Sequence, residues 1–222
     1  SNGINRAHLK YFGAGMDDIE KNAAKMQLEG LLDTLTDAKE YGSILNVESY
    51  NWDLLRRFVA SKNTDGQISM DSMGVEDTAE QLKWLIDIGE TMARKYWVIV
   101  TNPPYAGTSN LSANINNFVK KNYPDSKSDL FAVFIERCRQ MTSDNGFQAM
   151  ITQHSWMFLS SFEKMREKMM LTETINMAHL GARAFEEIGG EVVQTTAFVR
   201  CEKHVDGYKG TYCRLTGATS QQ

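Results

Sequence analysis

An apolar run, Trp97-Val98-Ile99-Val100-Thr101, stops against two consecutive prolines, Pro103 and Pro104, and nothing else in the chain limits its possible folds as tightly. The run has the length and β-branched content of a buried strand. Each proline fixes its φ at about −65° and removes a backbone donor, so neither a helix nor a ladder continues through the pair. The chain must turn at Asn102-Pro103-Pro104-Tyr105. Carbonyls left outside any ladder there can receive a ligand's amino group.

Beyond the turn, helix and strand signals alternate. Ser128 and Asp129 can cap a helix whose inward face is Leu130, Phe131, Val133, Phe134, Ile135 and Cys138, and Asp144-Asn145-Gly146 ends it. A strand is expected over Phe147 to Thr152, a helix from Ser160 to about Leu171, and strands over Ile175 to Leu180, Val192 to Arg200 and Gly210 to Leu215. This order predicts an α/β fold: a mainly parallel sheet with helices on both faces and a late strand pair forming an antiparallel edge. In such sheets ligands bind beyond the carboxyl ends of the strands, which is where Asn102 falls.

A helical segment precedes the turn. Ile19, Ala23, Met26, Leu28, Leu31, Leu32 and Leu35 recur at three- and four-residue steps between Asp17 and Lys39. Ile44-Leu45 reads as a short strand, Trp52 to Ala60 and Glu76 to Lys95 as helices, and the polar stretch from Ser61 to Gly74 as a loop.

Lysine and arginine number 24 against 28 aspartates and glutamates, a net charge of −4, which argues against a basic coat for nucleic acid but leaves room for a local basic cleft. Cys138, Cys201 and Cys213 stand too far apart for a zinc pattern, so no metal is expected and a reduced, cytoplasmic setting is. No apolar run approaches a membrane span, and no membrane partner is expected. The opening Ser1-Asn2-Gly3 and the polar close at Gln222 point to a piece excised from a longer protein.

The turn suits one kind of chemistry. A ring-conjugated amine is a poor nucleophile, because its lone pair is delocalised. An asparagine oxygen and an adjacent backbone carbonyl can each accept one of its hydrogens and orient the nitrogen for in-line attack on a methyl sulfonium. Asn102 and Pro103 are so placed, and positioning does the work without a strong base. Tyr105 adds a ring on which a flipped base can stack, an interaction worth about 1–3 kcal/mol.

Asn-Pro-Pro-Tyr after an apolar strand resembles the signature of adenine-specific DNA methyltransferases. Asp129-Leu130-Phe131-Ala132-Val133-Phe134, Gly146 to Thr152 and Ser161 to Arg166 resemble that family's later motifs in the same order. Together with Tyr11 to Asp18, they make the chain similar to PglX-type methyltransferases of BREX phage-defence systems over nearly its whole length.

The resemblance implies a partial Rossmann-like methyltransferase core, with S-adenosylmethionine (SAM) as cofactor, double-stranded DNA carrying a flipped adenine as partner, and other phage-defence proteins alongside. It implies catalytic roles for Asn102, Pro103, Pro104 and Tyr105, a second stacking ring at Phe185, and cofactor contacts near Asp129 and Phe131. Residues 1–95 would be the mostly helical part and 96–222 the catalytic part of one domain.

The family's glycine-rich cofactor loop has no good copy. Phe12-Gly13-Ala14-Gly15 lacks a preceding strand and reads as a turn before a helix. The loop is expected before residue 1, and the fragment alone is expected to bind SAM weakly and to be inactive.

Blander readings stand beside these. Phe131, Phe134 and Phe147 fit core positions, and packing is favoured for Trp156 and Phe158. His154 reads as a loop residue near the site, and Lys120, Lys121 and Lys127 as either phosphate contacts or a solvated face. A non-catalytic DNA- or partner-binding module on a degenerate methyltransferase fold is the alternative, and transfer to cytosine, RNA or a protein glutamine a third option.

Overall fold

The computed structural model describes residues 3–62, 73–182 and 194–216. The chain divides into two compact units, Ser1–Arg94 and Lys95–Gln222.

The first unit is helical. Helix α1 (Asp18–Thr34) starts at Asp17, whose carboxylate accepts the Ile19 and Glu20 N–H groups at 3.0 and 2.9 Å. A single turn, α2 (Ala38–Tyr41), comes next, then α3 (Trp52–Ala60), capped by Asn51 through the Leu54 N–H, and α4 (Val75–Ala93). Leu28, Leu31, Leu32, Leu55, Phe58, Leu82 and Ile86 are fully buried, each from the apolar stripe of its helix. Gly89 lets α4 approach α1: a Cβ there would meet Leu31 Cδ1 at 2.7 Å. The short strand expected at Ile44-Leu45 is instead the end of a 3-10 turn over Gly42–Ile44. Ile44 and Leu45 are apolar because they are buried in this helical unit, not because they join a sheet.

The second unit holds a five-stranded sheet of β1 (Tyr96–Thr101), β2 (Thr142–Gln153), β3 (Glu173–Gly181), β4 (Thr195–Cys201) and β5 (Thr211–Arg214), in the order β1-β2-β4-β3-β5. β1 pairs with β2 and β3 with β5 in parallel, while β4 runs antiparallel to both β2 and β3. Four strands therefore share one direction and β4 alone opposes them. Two of the four pairings are parallel and two antiparallel, so the sheet is mixed where a mainly parallel one is expected, because the reversed strand lies inside it, between β2 and β3, and not at an edge. A seven-residue strand with small and apolar residues on both sides, Thr195-Thr196-Ala197-Phe198-Val199, suits that interior place.

Helix α5 (Ala113–Asn122) starts at Ser112, whose side chain accepts the Ile115 N–H. α6 (Leu130–Met141) lies over β2 and β1, and α7 (Glu163–Met169) joins it around one core of Phe131, Ile135, Met150, Trp156, Met165 and Phe198. The same strands' other side is bare where β1 meets β2: Val98, Val100 and Phe147 are exposed, and Val98 pairs with Phe147. Phe147, expected in the core, sits on this open side because its neighbours Gln148 and Met150 take the inward positions.

Asp144-Asn145-Gly146 ends no helix. α6 stops at Met141, and the triplet makes a kink inside β2, where Tyr96 pairs with Thr142 but Val98 already pairs with Phe147. Asn145 takes φ +63°, a left-handed conformation that asparagine tolerates.

Candidate functional site

Because β1, β2 and β3 share a direction, their carboxyl ends gather on one rim of the sheet. Asn102 follows β1 there and His154 follows β2. The Asn102 side chain is exposed, Pro103 is buried, Pro104 is exposed and Tyr105 is half-buried. The Tyr105 hydroxyl lies 3.2 Å from Asn102 Oδ1 and 3.1 Å from the Ile151 carbonyl on β2, both of which can accept its proton. Its ring meets the Phe131 ring edge-on, centroids 6.3 Å apart and planes at 87°. Burial pushes the Tyr105 hydroxyl up to about 12, so it stays a donor at any ordinary pH.

The exit from the turn is fastened to the start of α6. Asp129 Oδ1 accepts the Ala106 N–H at 3.1 Å and the Phe131 N–H at 3.3 Å. The Leu130 N–H donates to the Ala106 carbonyl at 3.0 Å, and the Thr108 hydroxyl donates to the Lys127 carbonyl at 2.5 Å. Burial raises the Asp129 pKa, opposed by the backbone N–H groups of Phe131, Ala106 and Leu130 that favour its charged form. Nothing in the spacing of the sequence announces this fastening, although Asp129 as a helix cap was legible.

The expected site residues thus divide. Asn102, Pro103, Pro104 and Tyr105 stand together on the rim. Asp129 is beside them, but its Oδ1 is engaged by the backbone. The Phe131 ring has no exposed surface and belongs to the core, so a cofactor contact through that ring is not on offer. The Phe131 ring is thus taken up by the core, while Asp129 is half-buried with one carboxylate oxygen engaged by the backbone. Phe185 and Gly189-Gly190 lie outside the described residues. Gly13 and Gly15 both have positive φ, and the Gly13 N–H donates to the Phe58 carbonyl, a turn leading into α1.

Around the rim, Trp156 is packed inside and donates its indole N–H to Thr152, whereas Phe158 is exposed beside His154. Lys120, Lys121 and Lys127 are exposed, the first two in the last turn of α5, where cations suit the helix dipole. His179, which the sequence did not single out, stacks on His154 with centroids 5.0 Å apart and planes at 15°. Burial first, then the charges of His154 and Arg214, lower its pKa. The pairing of β4 with both β2 and β3 brings these rings together, and that register is not written in local pattern. Among the described residues no group of three His, Cys, Asp or Glu side chains is arranged to hold a metal ion.

Residues 10–183 match the Eco57I restriction-modification methylase family. Over 216 residues the chain is 47% identical to the adenine-specific methyltransferase PglX of Lacticaseibacillus casei (strain Zhang), covering 96% of this chain and 18% of that protein. Over 184 residues it is 40% identical to the adenine-specific methyltransferase BrxX of Escherichia coli O9:H4 (strain HS), covering 81% of this chain and 15% of that protein. A solved nuclease-deletion mutant of the Type ISP restriction-modification enzyme LlaGI, in complex with a DNA substrate mimic, aligns at a TM-score of 0.44 and 14% identity, over 68% of this chain and 14% of that chain. This chain spans less than a fifth of the length of the curated relatives it matches.

Proposed function

This chain belongs to the Eco57I restriction-modification methylase family, and from that premise we propose that the whole protein transfers a methyl group from SAM to the exocyclic amine of an adenine turned out of double-stranded DNA. The setting is restriction-modification or phage defence, with other defence proteins as partners. The observation that carries this reading is the exposed Asn102 side chain at the carboxyl end of β1, with the Tyr105 ring three residues on.

The chain's own residues act on the acceptor. Asn102 Oδ1 and the Pro103 carbonyl each accept one amino hydrogen, which draws the nitrogen lone pair out of conjugation. Tyr105 stacks the base and offsets part of the few kcal/mol that flipping costs. Phe185 is the proposed second ring. Pro103 and Pro104 keep the turn rigid, so the two acceptors need no rearrangement when the amine arrives. The cofactor supplies an electrophilic methyl group; Asp129 is kept as a proposed contact to it, the Phe131 ring, taken up by the core, is not, and no step is assigned to either. Residues 96–222 are the catalytic part in this reading and 1–95 a mostly helical part.

In the whole protein, Asn102→Ala should reduce methyl transfer to DNA by at least about a hundredfold while leaving folding and most DNA affinity in place. Turnover like that of the wild type would sink the assignment.

A further inference from the structure

Past the end of α7, the side of the sheet that bears this helix carries a cleft of about 270 Å³, walled by the last turn of α7, the link into β3 and the segment that leads into β5. Its polar end lies at Arg200 and Thr174, a cross-strand pair at the start of β3, and so at the opposite end of that strand from the rim where Asn102 stands. The cleft is a second site.

Two guanidiniums line it, Arg166 and Arg200, and among the described residues neither meets a carboxylate within ion-pair distance. Arg200 spends its N–H groups on neutral acceptors, the hydroxyls of Thr172 and Thr174 and the Met169 carbonyl. Such bonds satisfy the donors but leave a positive charge uncompensated in a buried place, which is costly. Arg166 donates through Nη1 alone, to the Trp156 and Leu159 carbonyls at 2.7 and 2.6 Å, so its Nε and Nη2 have no protein acceptor among the described residues. The acid on this wall is Glu173, whose Oε1 is already held by the Val205 N–H at 2.9 Å and by His204 Nδ1 at 3.0 Å. One negative charge against two positive ones leaves room for a monoanion and opposes a dianion.

The rest of the lining is apolar and adaptable: the thioethers of Met169, Met170 and Met177 with the rings of Trp156, Tyr208 and Tyr212. Methionines mould themselves to a flat ring and make favourable sulfur contacts with it. The volume falls just under the roughly 300–1,000 Å³ of sites for drug-sized ligands, which suits one ring system with one acid group.

We propose that this cleft binds a small aromatic carboxylate, its oxygens on the unclaimed N–H groups of Arg166 and its ring among the methionines and tyrosines. Nε and Nη2 of a guanidinium lie in one plane and match the two oxygens of a carboxylate, while Arg200 supplies positive potential from below. Nothing in this inference depends on the reading of Asn102 as the acceptor site.

The test follows the methionine methyls of this chain, labelled with carbon-13, by NMR during titration with phenylacetate. Saturable shifts are expected at Met169, Met170 and Met177, with a Kd of about 1–10 mM for so small a probe. Phenylacetamide has the same shape without the charge and should bind about tenfold more weakly; Arg166→Gln should weaken phenylacetate by a similar factor. Phenyl phosphate, a dianion, should bind no tighter than phenylacetate. Equal affinity for acid and amide would overturn the proposal, as would shifts that miss these three methyls. The same holds for unchanged phenylacetate affinity in Arg166→Gln, and tighter binding of phenyl phosphate would overturn the choice of a monoanion. The comparison of acid with amide uses the unaltered chain, so it decides the matter even if the variant fails to fold.

Discussion

Asp129 reaches back across 23 residues of sequence to hold Ala106, its Oδ1 accepting the Ala106 N–H at 3.1 Å directly after the Asn102–Tyr105 turn. The same oxygen caps α6 through Phe131. Asp129→Ala removes both bonds at once and should destabilise the chain by about 1–3 kcal/mol, read as a lowered urea midpoint. Asp129→Asn keeps an acceptor of the same shape and should restore most of that loss. If alanine and asparagine behave alike, the fastening is not what holds the turn.

Gly146 allows the kink in β2 to close. A Cβ on it would lie 2.8 Å from Thr142 Cγ2, 2.9 Å from the Ser143 carbonyl oxygen and 2.9 Å from the Trp97 carbonyl oxygen. Two of these are backbone atoms that cannot swing aside. Gly146→Ala should therefore cost about 1–3 kcal/mol and loosen the pairing of β1 with β2. Hydrogen exchange at the β1 amides would report that loosening, and unchanged protection there would contradict it.

Arg200, only 4% exposed, ties three segments together. Its guanidinium donates to the hydroxyls of Thr174 at 2.6 Å and Thr172 at 2.7 Å and to the Met169 carbonyl at the end of α7. Burial lowers its pKa. Arg200→Met leaves those acceptors buried without a donor and should cost more than about 2 kcal/mol. Arg200→Lys should not rescue the loss, because one ammonium cannot reproduce the fork. Rescue by lysine, measured by thermal unfolding, would show that charge alone suffices.

His179 makes stability depend on pH. Its folded pKa lies below the ordinary 6.5, so the unfolded chain takes up this proton first as the pH falls. Stability from the neutral ring is present above the unfolded pKa and is lost as the pH drops from there toward the lowered folded value. The urea midpoint of this chain should fall on going from about pH 7.5 to about pH 5, and His179→Gln should flatten that fall. A variant with the same pH profile as the parent would remove His179 from the account.

The Phe131 ring is buried in the core and Asp129 Oδ1 is engaged by the backbone, and this chain by itself is expected to bind SAM weakly or undetectably. Calorimetric titration tests this. Micromolar affinity would mean that a cofactor pocket forms from other residues of these 222.

Much of the rim was legible in the sequence because its determinants are local. Prolines end β1, an aspartate caps α6, and an asparagine stands exposed where a strand gives way to a turn. The illegible remainder depends on partners distant in the chain. The place of β4 between β2 and β3 is a pairing choice, and His179 meets His154 only as its result. Asp144-Asn145-Gly146 carries the residues of a helix stop yet serves as a kink within a strand, since turn chemistry names the bend and not what flanks it. Ile151 gave no sign of its part because a backbone carbonyl has no letter in the sequence.

The interior place of β4 also dictates an order of assembly. Within this sheet β3 is hydrogen-bonded only to β4 and β5, both of which come later in the chain. β2 and β3 therefore cannot be joined in this sheet until residues 195–201 are available to lie between them. The strands under the rim that bears Asn102 are thus tied together through a segment about forty residues beyond β2, a long-range contact and not a local one.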